Sequence, residues 1–300
     1  MLQGAFLIET LFIVNPTAGR GTTKSRWDAF ERQLKKYTTF PYKVHFTTRS
    51  GEAETVSLQA THSHFERVIA VGGDGTVNEI VNGVLGRDVM IGILPFGTGN
   101  DLARSIEANK SDKDLLHMLC YPKEASLNVA KINGRHFINA AGIGFDGIVA
   151  NHINRHMFIK ILGALGYSLS AITVLKSFTP SEVMLNIDGN CVILSHVWMI
   201  AIGNGSFYGG GMKICPSAKY DDDLLDVCIV SNLGKMNFLK LLPSVYTGRH
   251  VEKETFITTQ QGKHIEITCP DYMIAHADGE LIASSSLQIS VSEKRIRFLT

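Results

Sequence analysis

The sequence predicts two domains of different class, an α/β domain with a parallel sheet followed by a mostly antiparallel β domain. In the first third of the chain, short apolar runs alternate with helically spaced apolar stripes. From about Lys123 onward, Asn-Gly and Asp-Gly pairs separate apolar runs instead, as in hairpins. The 300 residues are 45% hydrophobic and 19% charged, which is enough for two cores.

In the first domain, strands and helices alternate along the chain. The predicted strands are 11–14, 44–47, 68–71 and 89–94, and the helical stripes are Trp27-Phe30-Leu34, Ala53-Val56-Ala60 and Val77-Ile80-Val81-Val84-Leu85. Strands that alternate with helices pair in parallel and carry helices on both faces of the sheet. Ser111 and Asp114 predict a capping box at the start of a further helix.

The second domain begins near residue 123 and is predicted to be built from hairpins. Asn133-Gly134 and Asp188-Gly189 lie between apolar runs and suit tight turns with positive φ. Strand character continues at 265–268 and 287–291. A stretch without any acidic residue, 147–181, interrupts it and carries several cations, so it is either a core-packing helix or one that faces a membrane.

A glycine-rich tetrad, Gly72-Gly73-Asp74-Gly75, stands where the third strand runs into a helix. Glycine lets backbone N–H groups approach a ligand, and the N-terminus of a helix favours phosphate. The tetrad is neither a Walker A motif nor G-x-G-x-x-G. It indicates a phosphate cradle, with a tight turn capped by Asp74 as the alternative.

Two more glycine-rich loops follow predicted strands, NPTAG at 15–19 and FGTGND at 96–101. In a parallel sheet all three loops emerge at the carboxyl edge, where ligands bind. The second domain adds Asp221-Asp222-Asp223 and the Asp278-Gly279-Glu280 motif. Carboxylates of this kind suit Mg²⁺, although each run alone also suits a solvated turn.

Bulk composition limits the partners. The net charge is +1, from 29 basic and 28 acidic residues, which argues against nucleic acid. Five scattered cysteines without a C-x-x-C pair indicate a reducing, cytoplasmic location. No run reaches the roughly 18 apolar residues of a membrane span, and the N-terminus lacks the features of a signal peptide.

Taken together, NPTAG, GGDGTVNE, FGTGNDLAR, AKYDDDLLD and DGE resemble the diacylglycerol kinase catalytic family, from about Asn15 to Glu280. The resemblance implies an NAD kinase/phosphofructokinase-like α/β domain, a β-sandwich domain and an active-site cleft between them. We assign 1–123 to the nucleotide domain, completed by 292–300, and 124–291 to the lipid-substrate and metal domain. The implied activity is an ATP- and Mg-dependent transfer of phosphate to a lipid hydroxyl, with diacylglycerol as the first candidate substrate.

The resemblance also implies roles for individual residues. Asn15, Gly19, Thr47 (with Thr48 as the alternative), Gly72, Gly73, Asp74, Gly75, Thr76, Asn78, Glu79, Thr98, Asn100 and Asp101 would bind the nucleotide, with Asp74 and Asp101 linking it to the metal. Asp222 and the carbonyls of Lys219 and Leu224 would hold Mg²⁺. Asp278 or Glu280 would be the general base. Asp223 stands where the family usually has glycine, and aspartate tolerates positive φ.

Further expectations concern partners and alternatives. The lipid substrate would be met by peripheral contact with the inner membrane face, with no transmembrane segment, and a homodimer is left open. The first rival is an NAD kinase-like enzyme acting on a soluble metabolite, which also uses GGDG. The second is a non-catalytic nucleotide- or lipid-binding protein on the same fold.

Overall fold

The computed structural model describes residues 9–38, 40–63, 65–108, 110–156 and 164–300. The chain divides into two compact units. The first extends to Leu127 and also includes Lys294–Thr300, and the second is Asn128–Glu293. The division lies four residues after the predicted boundary at 123, so 124–127 belong to the first unit.

The first unit contains a six-stranded, mostly parallel sheet in the order β2-β1-β3-β4-β17-β5. Its strands are β1 Glu9–Val14, β2 Tyr42–Phe46, β3 Phe65–Gly72, β4 Met90–Pro95, β5 Glu124–Leu127 and β17 Ile296–Leu299. Only β5 runs antiparallel to its neighbour. The predicted parallel α/β architecture is confirmed.

Helices connect the parallel strands. They are α1 Thr23–Tyr37, α2 Glu52–Ala60, α3 Asp74–Val84, α4 Asp101–Ser105 and α5 Asp112–Cys120. Apolar residues of α1 and α5 share one buried cluster with β1, β3 and β4, while α2 and α3 pack against each other and against the sheet. The capping box is confirmed, since the Ser111 hydroxyl accepts from Asp114 N at 3.3 Å.

The last strand, β17, is inserted between β4 and β5. Arg297 on β17 forms an ion pair with Glu124 on β5 at 2.8 Å, and its guanidinium also contacts Asp88. The sheet of the first unit is therefore completed by residues from the other end of the chain.

The second unit is an antiparallel β domain, as predicted. Its strands are β6 Ala130–Ile132, β7 Arg135–Phe137, β8 Ala140–Gly144, β9 Ser181–Ile187, β10 Asn190–Gly203, β11 Leu225–Ser231, β12 Ile257–Gly262, β13 His264–Thr268, β14 Ala275–Ala277, β15 Glu280–Ile282 and β16 Ser286–Val291. The 14-residue β10 changes register with β9 between Leu194 and Val197; it pairs with β9 from Asn190 to Leu194 and again at Val197, with β11 from Val197 onward and with β8 from Met199 onward. One strand thus serves both parts of the sandwich around one apolar core.

Both predicted tight turns are present. Asn133-Gly134 joins β6 to β7 with φ of 46° and 87°, and Asp188-Gly189 joins β9 to β10 with 49° and 90°. These conformations are why Asn, Asp and Gly occupy those positions.

Among the described residues of this unit, α-helices accompany the β strands at α6 Phe145–Arg155, α7 Ala164–Ser177 and α8 Lys235–Val245. Residues 157–163 of the acid-free stretch lie outside the described residues. Within the described part of the chain, no helix combines the length and apolar character needed to cross a membrane.

Candidate functional site

Three loops meet at the carboxyl edge of the parallel sheet, as the sequence predicts. Asn15, which follows β1, donates from its backbone N to the Val71 carbonyl at 3.0 Å and from Nδ2 to Thr76 Oγ1 at 3.3 Å. Gly97, which follows β4, donates to the Gly72 carbonyl at 2.8 Å. The loops after β1, β3 and β4 are therefore hydrogen-bonded into one structure.

Glycine is required where these loops touch. A Cβ on Gly97 would overlap the Gly73 Cα and come within 2.7 Å of the Gly73 nitrogen. Gly19 has φ of 58°, and a Cβ there would overlap the Phe96 carbonyl oxygen. Backbone thus packs directly on backbone, which only residues without a side chain allow.

Asp74 caps the short helix α4. Its Oδ1 accepts from Leu102 N at 3.1 Å. Burial raises the pKa of Asp74, against the opposing effect of backbone N–H groups of the α4 start. Asp101, the first residue of α4, is itself buried. Asp74 of the GGDG loop is thereby bonded to the helix that follows the GTGND loop, and the predicted link of Asp74 and Asp101 to a metal stays a prediction.

Asn100 holds the third loop. It has φ of 54°, and its Nδ2 donates to the carbonyls of Pro95 at 3.1 Å and Gly97 at 2.9 Å. Thr98, in the same loop, is exposed. A strained non-glycine residue with this bonding rigidifies the loop.

Three of the predicted nucleotide contacts are engaged elsewhere in this unit. Glu79 accepts from Gly51 N at 2.9 Å and Ala53 N at 3.1 Å, so it binds the N-terminus of α2. Asn78 is buried and accepts from Asn82 Nδ2. Thr47 N, just after β2, donates to the Val14 carbonyl at 2.9 Å, directly before the first glycine-rich loop.

Thr48, the alternative to Thr47, is also occupied. Its backbone N and its hydroxyl donate to Glu52 Oε2 at 2.7 and 2.8 Å. It therefore serves the start of α2.

The start of α3 faces open space. Gly75 is exposed, and a Cβ added there would meet nothing within 4 Å. Helix α3 has 11 residues, and its first N–H groups carry the partial positive charge that favours anions. The geometry provides room for phosphate beside the helix N-terminus.

In the second unit, Asp278 is held in a cradle of backbone amides. Its Oδ2 accepts from Ile138 N at 2.8 Å, and its Oδ1 accepts from Asn139 N at 3.0 Å and Ala140 N at 3.1 Å. Asp278 and Gly279 have φ of 47° and 85° and form the turn between β14 and β15. These bonds use both carboxylate oxygens and fix the turn.

Glu280 begins β15 two residues later and is exposed. It forms an ion pair with Arg135 on β7, with Arg135 Nε 3.2 Å from Oε2. Its carboxylate therefore faces solvent next to the fixed turn.

The aspartate run forms a turn before β11. Asp222 Oδ1 accepts from Leu224 N at 3.1 Å, and Asp223 has φ of 59°. That angle explains how aspartate replaces the family's glycine. Lys219 is exposed at the start of the turn.

The donor chemistry of this turn fits Mg²⁺, since a carboxylate, carbonyl oxygens and water are its usual ligands. In the described ranges, no three His, Cys, Asp or Glu side chains gather as a metal site. A cation here would therefore depend on carbonyls and water around the single carboxylate of Asp222.

A buried ion pair below the Asp278 turn was not predicted. His276 Nε2 lies 2.6 Å from Asp146 Oδ2, and both residues are buried. A Cβ on Gly142 would overlap the Asp146 carboxylate, so glycine makes room for the pair. The Tyr208 ring stacks on His276. The pair joins the first turn of α6 to β14.

Burial alone lowers the pKa of His276, but the charge and hydrogen bond of Asp146, with a smaller contribution of Asp278, outweigh it and raise that pKa. The imidazolium then stabilises the fold fully below the unfolded pKa of about 6.5, and this is lost as pH rises through the higher folded value.

The parent should be more stable than His276→Gln at low pH. We expect this difference in the free energy of unfolding to fall as pH rises above about 6.5. Each unit of pKa increase is equivalent to about 1.4 kcal/mol. Urea titrations between pH 5 and 9 measure the difference. A difference that is constant across this range would contradict the charged pair.

Other contacts of the first site also escaped the sequence analysis. Thr23 Oγ1 donates to the Phe96 carbonyl at 3.0 Å, and the Arg26 guanidinium lies over the Phe96 ring at 3.9 Å. Gly97 stood inside the quoted FGTGND loop, and His276 directly precedes Ala277-Asp278. For Gly97 and His276, the position in or next to a motif could have indicated a functional role. No sequence motif pointed to Thr23 or Arg26.

Two family models match the chain. The diacylglycerol kinase catalytic domain matches residues 9–132, and the YegS C-terminal NAD kinase beta sandwich-like domain matches residues 139–300. The first match lies almost entirely in the first unit, and the second covers most of the second unit together with the last strand of the first.

Whole-length relatives agree with the family models. A diacylglycerol kinase of Bacillus subtilis (strain 168) is 27% identical over 89% of this chain and 88% of its own length. A probable YegS-like lipid kinase of Enterobacter sp. (strain 638) is 31% identical over 83% and 82%. The crystal structure of a candidate diacylglycerol kinase from Bacillus anthracis str. Sterne superposes with a TM-score of 0.79 at 26% identity, over 99% of this chain and 97% of that one. The chain therefore belongs to the diacylglycerol kinase catalytic-domain family of lipid kinases.

Proposed function

We propose that the protein transfers the γ-phosphoryl group of ATP to the hydroxyl of a lipid, with diacylglycerol as the first substrate to test. The observation that carries the proposal is the convergence of three glycine-rich loops on the open N-terminus of α3. Phosphate is the ligand that such a convergence suits. Relatives named diacylglycerol kinase and lipid kinase support the acceptor class.

In the proposed reaction, N–H groups at the start of α3 hold the phosphates of ATP. Gly75 leaves open space for a ligand, and Gly73 packs against Gly97 of the loop that carries Thr98. Phosphoryl transfer needs positioning and charge neutralisation, and Mg²⁺ bound with the nucleotide supplies part of the latter. Asp222, with the carbonyls of Lys219 and Leu224, would hold a further Mg²⁺.

Glu280 is the residue that we propose to take the proton from the lipid hydroxyl. Asp278 already binds three backbone amides, whereas the Glu280 carboxylate is exposed. Asp278 then fixes the turn that presents Glu280. The reaction requires this turn and the start of α3 to act on one substrate pair.

The activity is tested with radiolabelled ATP and purified protein. We expect label in a chloroform-soluble product with diacylglycerol vesicles, and little with NAD. Mass spectrometry after incubation with a cell lipid extract identifies the acceptor. Label in phosphorylated NAD but in no lipid would favour the soluble-metabolite kinase, and ATP binding without turnover would favour a binding protein.

Replacing Asp222 by Ala is expected to weaken the Mg²⁺ dependence of activity and the stability together, because the carboxylate both braces its turn and would ligate the cation. Melting curves with and without Mg²⁺ measure this, with Asp271→Ala, an exposed aspartate of the same unit, as the control. If Asp222→Ala melts as the parent does in both conditions, the bracing role is wrong.

For the membrane contact, we propose the exposed face of α7. Leu169 and Ile172 are 53% and 47% exposed, and Lys176 follows one turn later on the exposed side. Apolar and cationic groups together favour an anionic bilayer surface.

Ile172→Glu is expected to lower co-sedimentation with phosphatidylglycerol-containing vesicles about fivefold, which corresponds to about 1 kcal/mol. Ile193→Glu, at a 67% exposed position on β10, is the matched control and should bind as the parent does. Binding that ignores the anionic lipid content, or an equal loss in both variants, would contradict this surface.

A further inference from the structure

A buried polar network connects the Asp222 turn with the Asp278 turn inside the second unit. It runs through the segment 138–140, which enters β8, and through Tyr220, which precedes the aspartate run. The reaction proposed above uses both turns but gives no role to the residues between them.

One side of the segment 138–140 binds Asp278. All three of its backbone N–H groups donate to the two carboxylate oxygens, over 2.8 to 3.1 Å. Asp278 N in turn donates to the Ala140 carbonyl at 2.9 Å. The orientation of the Asp278 carboxylate therefore follows the position of this segment.

Other atoms of the same segment bind Tyr220 and its surroundings. The Tyr220 hydroxyl donates to Asn139 Oδ1 at 2.9 Å, and both residues are buried. The Asn139 carbonyl accepts from Asn204 N and Gly205 N, each at 2.9 Å. A Cβ on Gly205 would overlap the Tyr220 hydroxyl, so the ring has little space to move.

Tyr220 is joined to the aspartate turn through the backbone, and its carbonyl also accepts from Asn128 N at 2.6 Å. The Tyr220 nitrogen shares a peptide bond with the Lys219 carbonyl. Asp222 lies two residues after Tyr220. Because the ring is closely packed, we expect a displacement of the turn to be passed through Tyr220 to its hydroxyl bond with Asn139.

We propose that Tyr220 is a positioning residue that couples the Asp222 turn to Asp278, by way of its hydroxyl bond to Asn139. Its catalytic consequence rests on the proposed function, whereas the coupling itself does not. In this arrangement, a fixed conformation of the Asp222 turn holds the backbone amides of 138–140 in place. These amides in turn hold the Asp278-Gly279-Glu280 motif in place.

Tyr220→Phe removes the hydroxyl alone and tests the coupling. We expect amide exchange at 138–140, measured by NMR or by mass spectrometry without substrate, to become about tenfold faster. Asn139→Ala removes the same bond from the other partner and should act similarly. The double variant should exchange no faster than the quicker single variant.

Asp222→Ala extends the test to the turn. It should speed exchange at 138–140 in the parent background but have little further effect in Tyr220→Phe. Tyr272→Phe, which removes a long surface contact to the Thr179 carbonyl at 3.5 Å, is the matched control and should leave 138–140 unchanged. Unchanged exchange at 138–140 in Tyr220→Phe, or in Asp222→Ala, overturns the proposal.

Kinetics separate positioning from a merely structural role. With the lipid substrate, Tyr220→Phe should lower kcat about tenfold and leave the KM for ATP within twofold, well below its melting temperature. A lower melting temperature with unchanged kcat would overturn the positioning role. If the parent phosphorylates no lipid, the proposed function fails, and the exchange rates still decide the coupling.

Discussion

Glu280→Gln is expected to lower kcat for lipid phosphorylation by about 10²–10⁴, the usual size of a general-base contribution. The substitution keeps the shape of an exposed side chain at the start of β15, so the melting temperature should change little. Initial rates with saturating ATP measure the loss. Glu266→Gln, at an exposed position on β13, is the matched control and should retain the parent rate.

Asp278→Asn should lower both activity and stability. An amide offers a single acceptor oxygen, so at least one of the three cradle N–H groups loses its partner. An unpaired buried group costs about 1–3 kcal/mol. The base assignment is wrong if Glu280→Gln keeps more than a tenth of the parent rate, and an activity loss in Asp278→Asn without any loss of stability would instead favour Asp278 as the base.

Gly97→Ala is expected to abolish measurable ATP binding and to destabilise the first unit by several kcal/mol. The new methyl group would overlap the Gly73 backbone, and neither loop can yield without breaking the bond from Gly97 N to the Gly72 carbonyl. The GGDG and GTGND loops would be forced apart. Nucleotide titration by calorimetry, together with thermal melting, measures both effects.

Gly75→Ala provides the stability control for that prediction. A Cβ there meets open space, and Gly75 has no positive φ, so the melting temperature should stay at or slightly above that of the parent. If Gly97→Ala melts as Gly75→Ala does, the close approach of the two loops is not required for the fold.

Local patterns were sufficient to predict the first four parallel strands of the first unit and the two tight turns of the second. Alternating apolar runs and helical stripes indicated the parallel sheet, because each strand and each crossover helix is continuous in the chain. The turns at Asn133 and Asp188 followed from the need for positive φ. The convergence of the glycine loops followed from the rule that parallel strands present their carboxyl ends at one edge.

Side-chain partners distant in the chain could not be predicted in the same way. Glu79 binds the start of α2, and His276 pairs with Asp146 across 130 residues. Such pairs are set by how elements pack, which a single sequence does not reveal. The motif therefore predicted two neighbouring carboxylates, but not that Asp278 binds three backbone amides while Glu280 is exposed and paired with Arg135.

The place of β17 has a consequence for synthesis on the ribosome. Because this strand lies between β4 and β5, the first sheet cannot close until translation has passed Leu299. Until then a nascent chain carries β4 and β5 with unpaired edges, which is the condition that favours strand pairing between molecules. The whole second unit emerges in this interval, so the sheet that carries the glycine-rich loops is completed only after the Asp222 and Asp278 turns have been synthesised.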